Sequence, residues 1–167
     1  VAISCGSAVL FFAATKPVRK TIFYMRHAQP SLAWTDPGLT RAGCIHASTK
    51  IVPPCQVFCS PLRRCVETAL LVQSGPITLL RALREVPEWI GHYSTGGTWR
   101  DTNRVRANDC KQPYKDHSPK RRAFDALCAL AAVNAPDVLV VGHSKLLKLM
   151  FGGRKLKYLQ LKKYELK

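Results

Sequence analysis

Apolar residues in this chain cluster into two alternating kinds of run. Short blocks rich in Val, Ile, Phe and Leu lie at about 21–26, 56–59, 77–80 and 137–142, each bounded by turn-forming residues, and these predict strands. Between them, stretches with helical spacing lie near 40–50, 61–74, 118–134 and 143–151. The helix starts have recognisable chemistry. Thr40 stands before Arg-Ala-Gly as an N-cap, Ser118-Pro119 opens the third helix, and the Ala-rich run Ala123–Val133 has strong helix propensity. Strands that alternate with helices predict an α/β fold, a three-layer α/β/α arrangement with a mostly parallel central sheet.

Three segments fall outside this rhythm. Residues 91–117 are rich in Gly, Thr, Asn, Asp and bases, and are expected to form a long loop over a pocket, where substrate selectivity would reside. After Gly152-Gly153, the Lys/Leu/Tyr alternation of Lys155–Leu166 fits either a final edge strand or a basic tail. At the other end, Ile3–Ala14 is a dozen mostly apolar residues followed by Lys16, Arg19 and Lys20. It is too short for a membrane-spanning helix. A targeting remnant and an extra strand or hairpin are both open for it, so 1–20 is set apart from a main domain over 21–167.

Composition bounds this picture. A chain of 167 residues with 47% hydrophobic content has length for one domain with a sizeable core. Seven cysteines, an odd number without a Cys-x-x-Cys pair, fit reduced thiols better than a disulfide framework, and hence a cytoplasmic or organellar location. Cys55 and Cys59 lack partners at zinc spacing, so neither metal nor other cofactor is expected.

Charge adds something the fold does not require. Twenty-six Lys and Arg against ten acids give a net charge of +16, with clusters at Lys16–Lys20, Arg100–Arg106, Lys120–Arg122 and Arg154–Lys163. Such a field draws polyanions. Aromatics are not interleaved with the bases, so no stacking platform for single-stranded nucleic acid is visible, and nucleic acid or anionic membrane is not favoured over a basic solvated surface.

Chemistry-bearing residues concentrate at the ends of the predicted strands. The run Thr21-Ile-Phe-Tyr-Met-Arg26-His27 ends in a cation and a nucleophile, and Asp137-Val-Leu-Val-Val-Gly142-His143 also ends in a histidine. In an open α/β sheet the carboxyl ends of the strands are where ligands bind. A strand, a Ser60-Pro61 turn and a helix bring Arg63 and Arg64 to a helix N-terminus, which attracts anions. Glu85 follows Leu83-Arg84, with Glu88 three residues on.

Four of these segments occur in the order found in one family. Arg26-His27-Ala28 resembles an Arg-His-Gly signature with alanine in place of glycine. Asp36-Pro-Gly-Leu-Thr40-Arg-Ala-Gly43 resembles an Asp-x-Pro-Leu-Thr-x-x-Gly segment. Ser60-Pro-Leu-Arg-Arg64-Cys-Val-Glu-Thr68-Ala69 is close to Ser-x-x-x-Arg-Ala-x-x-Thr-Ala, and Gly142-His143-Ser144 stands for a second histidine motif. On these motifs, from about Thr21 to Gly152, the chain resembles the histidine phosphatase superfamily, the phosphoglycerate-mutase-like enzymes.

The resemblance implies a phosphoglycerate-mutase-like fold and a phosphatase that hydrolyses phosphomonoesters through a phosphohistidine on His27. It implies phosphate contacts from Arg26, Arg64 and His143, and a general acid at Glu85 in a Leu-x-Glu segment, with Glu88 as rival. The residues suit those tasks: arginine presents a planar fork to phosphate oxygens, and imidazole supplies an unprotonated nitrogen near neutral pH. The partner implied is a phosphorylated small molecule or phosphoprotein.

Two alternatives stand beside this. A mutase would carry a longer insertion than the roughly fifty residues between Glu85 and the second histidine strand. A noncatalytic phospho-ligand module would have no need of Arg26, His27, Arg64 and His143 together. Arg63, His46, His92, His117, Trp34, Trp99 and Ser31 read as solvated, packing or capping residues.

Overall fold

The computed structural model describes residues 19–32, 36–85, 105–107 and 118–166, the short piece 105–107 by its backbone. Expectations for 1–18, Trp34, Glu88, His92, Trp99 and His117, and for the loop 91–117 apart from 105–107, lie outside the described residues.

The elements run β1 (Lys20–Arg26), α1 (Arg41–Ser48), β2 (Gln56–Cys59), α2 (Arg63–Val72), β3 (Ile77–Leu79), β4 (Val105–Ala107), α3 (Pro119–Ala131), β5 (Asp137–Gly142), α4 (Ser144–Phe151) and β6 (Leu161–Leu166). They form one six-stranded sheet of order β4-β3-β2-β5-β1-β6. Every neighbouring pair is parallel except β1 with β6.

The sheet is covered on both faces, which explains why β5 is a continuous apolar run. Val138 and Val140 join Ile22, Tyr24 and Phe58 under Ala126 and Leu130 of α3 and Leu146 and Leu147 of α4. Leu139 and Val141 point the other way, joining Met25, Val57 and Ile77 under Val66 and Ala69 of α2. At about 25 cal/mol per Å² of apolar surface, these two layers are the main favourable term in folding. The α/β/α expectation therefore holds.

Helix ends are satisfied as the sequence suggests, with one addition. Thr40 Oγ1 accepts the Gly43 N–H at 2.9 Å, and Ser118 Oγ accepts the Arg121 N–H at 3.3 Å with Pro119 in the first turn. α2 begins at Arg63, behind Leu62, which offers no capping side chain. Asp36, from a distant turn, supplies it instead: its Oδ1 accepts the Arg63 N–H at 2.8 Å. Gly43 is needed for close approach, because a Cβ there would lie 2.5 Å from the Gln29 carbonyl oxygen.

One expectation changes, and one open alternative is resolved. Residues 105–107, inside the segment read as loop, form β4, paired in parallel with β3 (Ile77 with Val105). Three residues are too few to carry a period, and the pairing comes from the exposed edge of β3. The stretch after Gly153 resolves in favour of an edge strand, β6, antiparallel to β1. No helix among the described residues is long and apolar enough to cross a membrane.

Part of the positive charge is structural. Lys20 is buried and caps the end of α3, its Nζ donating to the carbonyls of Leu130 at 2.8 Å, Ala131 at 2.9 Å and Val133. Arg122 is buried as well. Cys44, Cys55, Cys65 and Cys128 are free thiols.

Candidate active site

Three parallel strands end side by side. The β1–β5 register closes with Arg26 opposite Gly142, and β2–β5 with Cys59 opposite Val141. The next residue of each strand is then His27, His143 and Ser60. The ladder carries on just past the strand ends: His27 N–H donates to Gly142 O and Ser60 N–H to Val141 O, both at 3.1 Å. A fourth contribution comes from α2, whose second residue is Arg64. Thr68, one turn on, accepts the Ala28 N–H at 3.0 Å and donates to the Arg64 carbonyl at 2.6 Å, tying the helix to the end of β1.

Glu85 reaches the same point from the other face. It follows a short 3-10 turn, Arg81–Leu83, whose Leu83 is buried in the first core layer. Arg122 on α3 donates to the Arg84 carbonyl at 2.7 Å and lies 3.4 Å from the Glu85 carbonyl, so buried guanidinium holds this segment in place. The Glu85 carboxylate Oε2 stands 3.1 Å from His143 Nδ1 and 3.6 Å from Arg64 Nη2.

The structure thus brings Arg26, His27, Arg64, Glu85 and His143 together. Arg63 is not part of the cluster: it is exposed and pairs with Glu67 at 2.6 Å, one turn along α2. His46 is exposed on α1.

The two rings lie 5.2 Å apart between centroids, edge to face. Their surroundings differ. His27 Nδ1 is 2.7 Å from the Ala28 carbonyl oxygen. A carbonyl can only accept, so Nδ1 carries the proton and Nε2 keeps a bare lone pair. Burial drives the His27 pKa well below the usual histidine range, helped by His143, Arg64 and Arg26 against the hydrogen bond to Ala28. His27 is therefore a neutral base.

His143 is held at both nitrogens. Nδ1 donates to Glu85, and Nε2 is 2.9 Å from Ser60 Oγ and 3.4 Å from Cys65 Sγ. Arg64 Nη2 is 3.5 Å from the same Nδ1, but two donors facing one carboxylate make a juxtaposition rather than a bond. Burial alone would raise the Glu85 carboxyl; the hydrogen bond to His143 and the charges of His143 and Arg64 outweigh it and hold the pKa at about 2. Burial raises the Cys65 thiol far above the usual range, so it packs as a neutral group.

Among the described residues, Arg64 Nη1 and Arg26 Nε have no hydrogen-bond acceptor although both are buried. Buried guanidinium nitrogens that lack an acceptor suit an anion. His27, Glu85 and His143 also offer ligand atoms within 4.8 Å of one another. With two arginines beside a single carboxylate, however, the field favours an anion over a dication.

Sequence reading passed over Ser60 as a contact of His143, and Tyr158 entirely. Ser60 follows an apolar strand just as the two histidines do, and that shared position was the available signal. Tyr158 lies on a turn after the last motif: Arg26 Cζ is 3.9 Å from its ring centroid, and the His27 ring is 5.7 Å away.

Comparison with known proteins bears on the fold and the family. No curated protein matches the chain. Among solved structures, a phosphoglycerate mutase from Thermus thermophilus is 20% identical, with a TM-score of 0.55 over 83% of this chain and 88% of that one. A phosphoserine phosphatase from Entamoeba histolytica in complex with 3-phosphoglyceric acid is 17% identical, at 0.56 over 86% and 89%. Mycobacterial hydrolase 1 is 16% identical, at 0.59 over 88% and 92%. At these identities the likeness speaks to the fold. The profile of the histidine phosphatase superfamily (branch 1) matches residues 22–157, which span both histidines, both arginines and Glu85, and the chain belongs to that family.

Proposed function

We propose that this protein is a phosphatase that hydrolyses phosphomonoesters, with His27 as nucleophile and residues 21–167 as its catalytic domain. The observation that carries the reading is the Nδ1–H···O=C bond to Ala28, which leaves the lone pair of His27 Nε2 bare beside two arginines.

In the first half-reaction His27 Nε2 attacks phosphorus and the bond to the leaving oxygen breaks. Arg26, Arg64 and His143 balance the charge on the equatorial oxygens. Glu85 gives its proton to the leaving oxygen. In the second half-reaction water attacks the phosphohistidine, Glu85 takes the water's proton, and inorganic phosphate leaves.

Without substrate, Glu85 is ionised, the form needed for the second half-reaction. A phosphate dianion engaging Arg64 and His143 neutralises the charges that hold the carboxyl down and adds a negative one. Its pKa then rises, so substrate binding loads the acid.

The partner is a phosphorylated small molecule or phosphoprotein. The test is turnover of p-nitrophenyl phosphate together with trapping of an acid-labile, base-stable phosphoenzyme. Steady phosphate release with a trapped phosphohistidine supports the reading. A wild type that gives neither sinks it, and isomerised phosphoglycerate in place of free phosphate would make the protein a mutase.

A further inference from the structure

Tyr158 stands at the site without a role in the chemistry above. Its placement is specific. The turn Lys157–Gln160 closes through the Gln160 N–H to the Lys157 carbonyl at 3.2 Å and the Lys157 N–H to Gln160 Oε1 at 3.0 Å. It is pinned to the neighbours of both histidines. Leu159 N–H donates to the Arg26 carbonyl at 3.1 Å, Arg26 Nη1 donates to the Leu156 carbonyl at 3.3 Å, and Leu156 N–H donates to Ser144 Oγ at 2.9 Å.

The turn needs Leu159 at φ 54, one of two non-glycine residues with positive φ among those described. A left-handed L-residue is disfavoured because its Cβ crowds the following carbonyl oxygen. Leu159 packs against the second core layer, which helps hold it there. Strain kept by surrounding contacts points to use. Its result here is that Tyr158, 43% exposed, lays one face over the Arg26 guanidinium.

Resting on the phosphatase reading, we infer that Tyr158 is a positioning residue: its ring orients Arg26 and shields it from water, so that Arg26 meets phosphate as a fixed, partly dehydrated fork. Among the described residues, Arg26 has no carboxylate within ion-pair distance. Its orientation comes from the Leu156 carbonyl and this ring. A guanidinium stacked on an aromatic face keeps its in-plane donors available, and removing water from one face strengthens its attraction for an oxyanion.

The experiment measures Kd for inorganic phosphate and for orthovanadate by calorimetry on the full chain, with thermal unfolding as a folding control. Tyr158→Phe keeps the ring and should bind as wild type. Tyr158→Leu should bind about fivefold more weakly, the size of an exposed cation–π contact. In an Arg26→Gln background, Tyr158→Leu should have no further effect, which a merely structural role for the ring would not produce. Wild-type affinity in Tyr158→Leu, an equal loss in Tyr158→Phe, or the full loss persisting without Arg26 would each overturn the inference. Intact phosphate binding without turnover would sink the phosphatase reading and leave Tyr158 in place; no phosphate binding by the wild type would overturn both.

Discussion

The ends of β1 and β5 look alike in sequence and behave oppositely in space. Both strands are apolar, parallel and adjacent, and each is followed at once by a histidine. His27 is turned by a main-chain carbonyl so that one nitrogen is committed and the other bare. His143 has a carboxylate on one nitrogen and a hydroxyl on the other. The first arrangement leaves a nitrogen free to attack; the second commits both nitrogens to protein partners and, on the function proposed above, leaves His143 to stabilise charge. An imidazole's task is set by what its second nitrogen touches.

The sharpest way to break the comparison is to remove each ring in turn. His27→Ala should lose phosphoenzyme formation and turnover altogether. His143→Ala should slow turnover by about 10²–10³-fold, the cost of one preorganised contact, yet still accumulate a phosphohistidine. Equal loss of the phosphoenzyme in both would erase the distinction.

Glu85→Gln comes next. It should cost about 10²–10⁴-fold on an alkyl phosphate, whose leaving oxygen needs a proton. On p-nitrophenyl phosphate, which leaves as a stable anion, the first half-reaction should be affected much less. A uniform loss measured by burst kinetics would argue for a structural role instead.

Ser60→Ala should be milder. It removes the hydroxyl from His143 Nε2 and nothing from His27. A lost neutral hydrogen bond of about 1 kcal/mol predicts roughly a fivefold fall in kcat/KM, with phosphoenzyme formation on His27 retained. A loss as large as that in His143→Ala would show that the hydroxyl has a larger task.

The smallest effects are in pH dependence. The folded pKa of His27 lies well below 6.5, so the unfolded chain binds more protons as pH falls below that value. Stability therefore declines from about pH 6.5 downward, and His27→Gln should flatten that slope in urea titrations. Glu85 has its folded pKa depressed to about 2 from 4.5, so its contribution is present above 4.5 and is lost as pH falls toward 2. By the same placement of His27, kcat/KM should stay level through pH 6.5 before falling on the acid side.

Much of this was legible in the chain because strand ends are marked by local chemistry. An apolar run that stops at His27 or His143 shows where a strand ends, and Ser60-Pro61 before two arginines shows where a helix begins. Other features were not legible, for reasons of distance. The Asp36 cap on α2, the Arg122 hold on the Glu85 segment and the Lys20 cap on α3 each join residues far apart in sequence. The charge pattern counted Lys20 and Arg122 as basic surface; only packing reveals them as buried donors to main-chain carbonyls. β4 was hidden because three residues carry no period.

Sequence by itself determined the α/β alternation, the family, and which side chains stand at the strand ends, since these follow from short-range pattern and motif order. Tertiary structure alone decided which histidine has the bare nitrogen, why Glu85 is ionised, and that Tyr158 covers Arg26. Those depend on partners from separate elements, and burial, charge and hydrogen bonding act through space rather than along the chain.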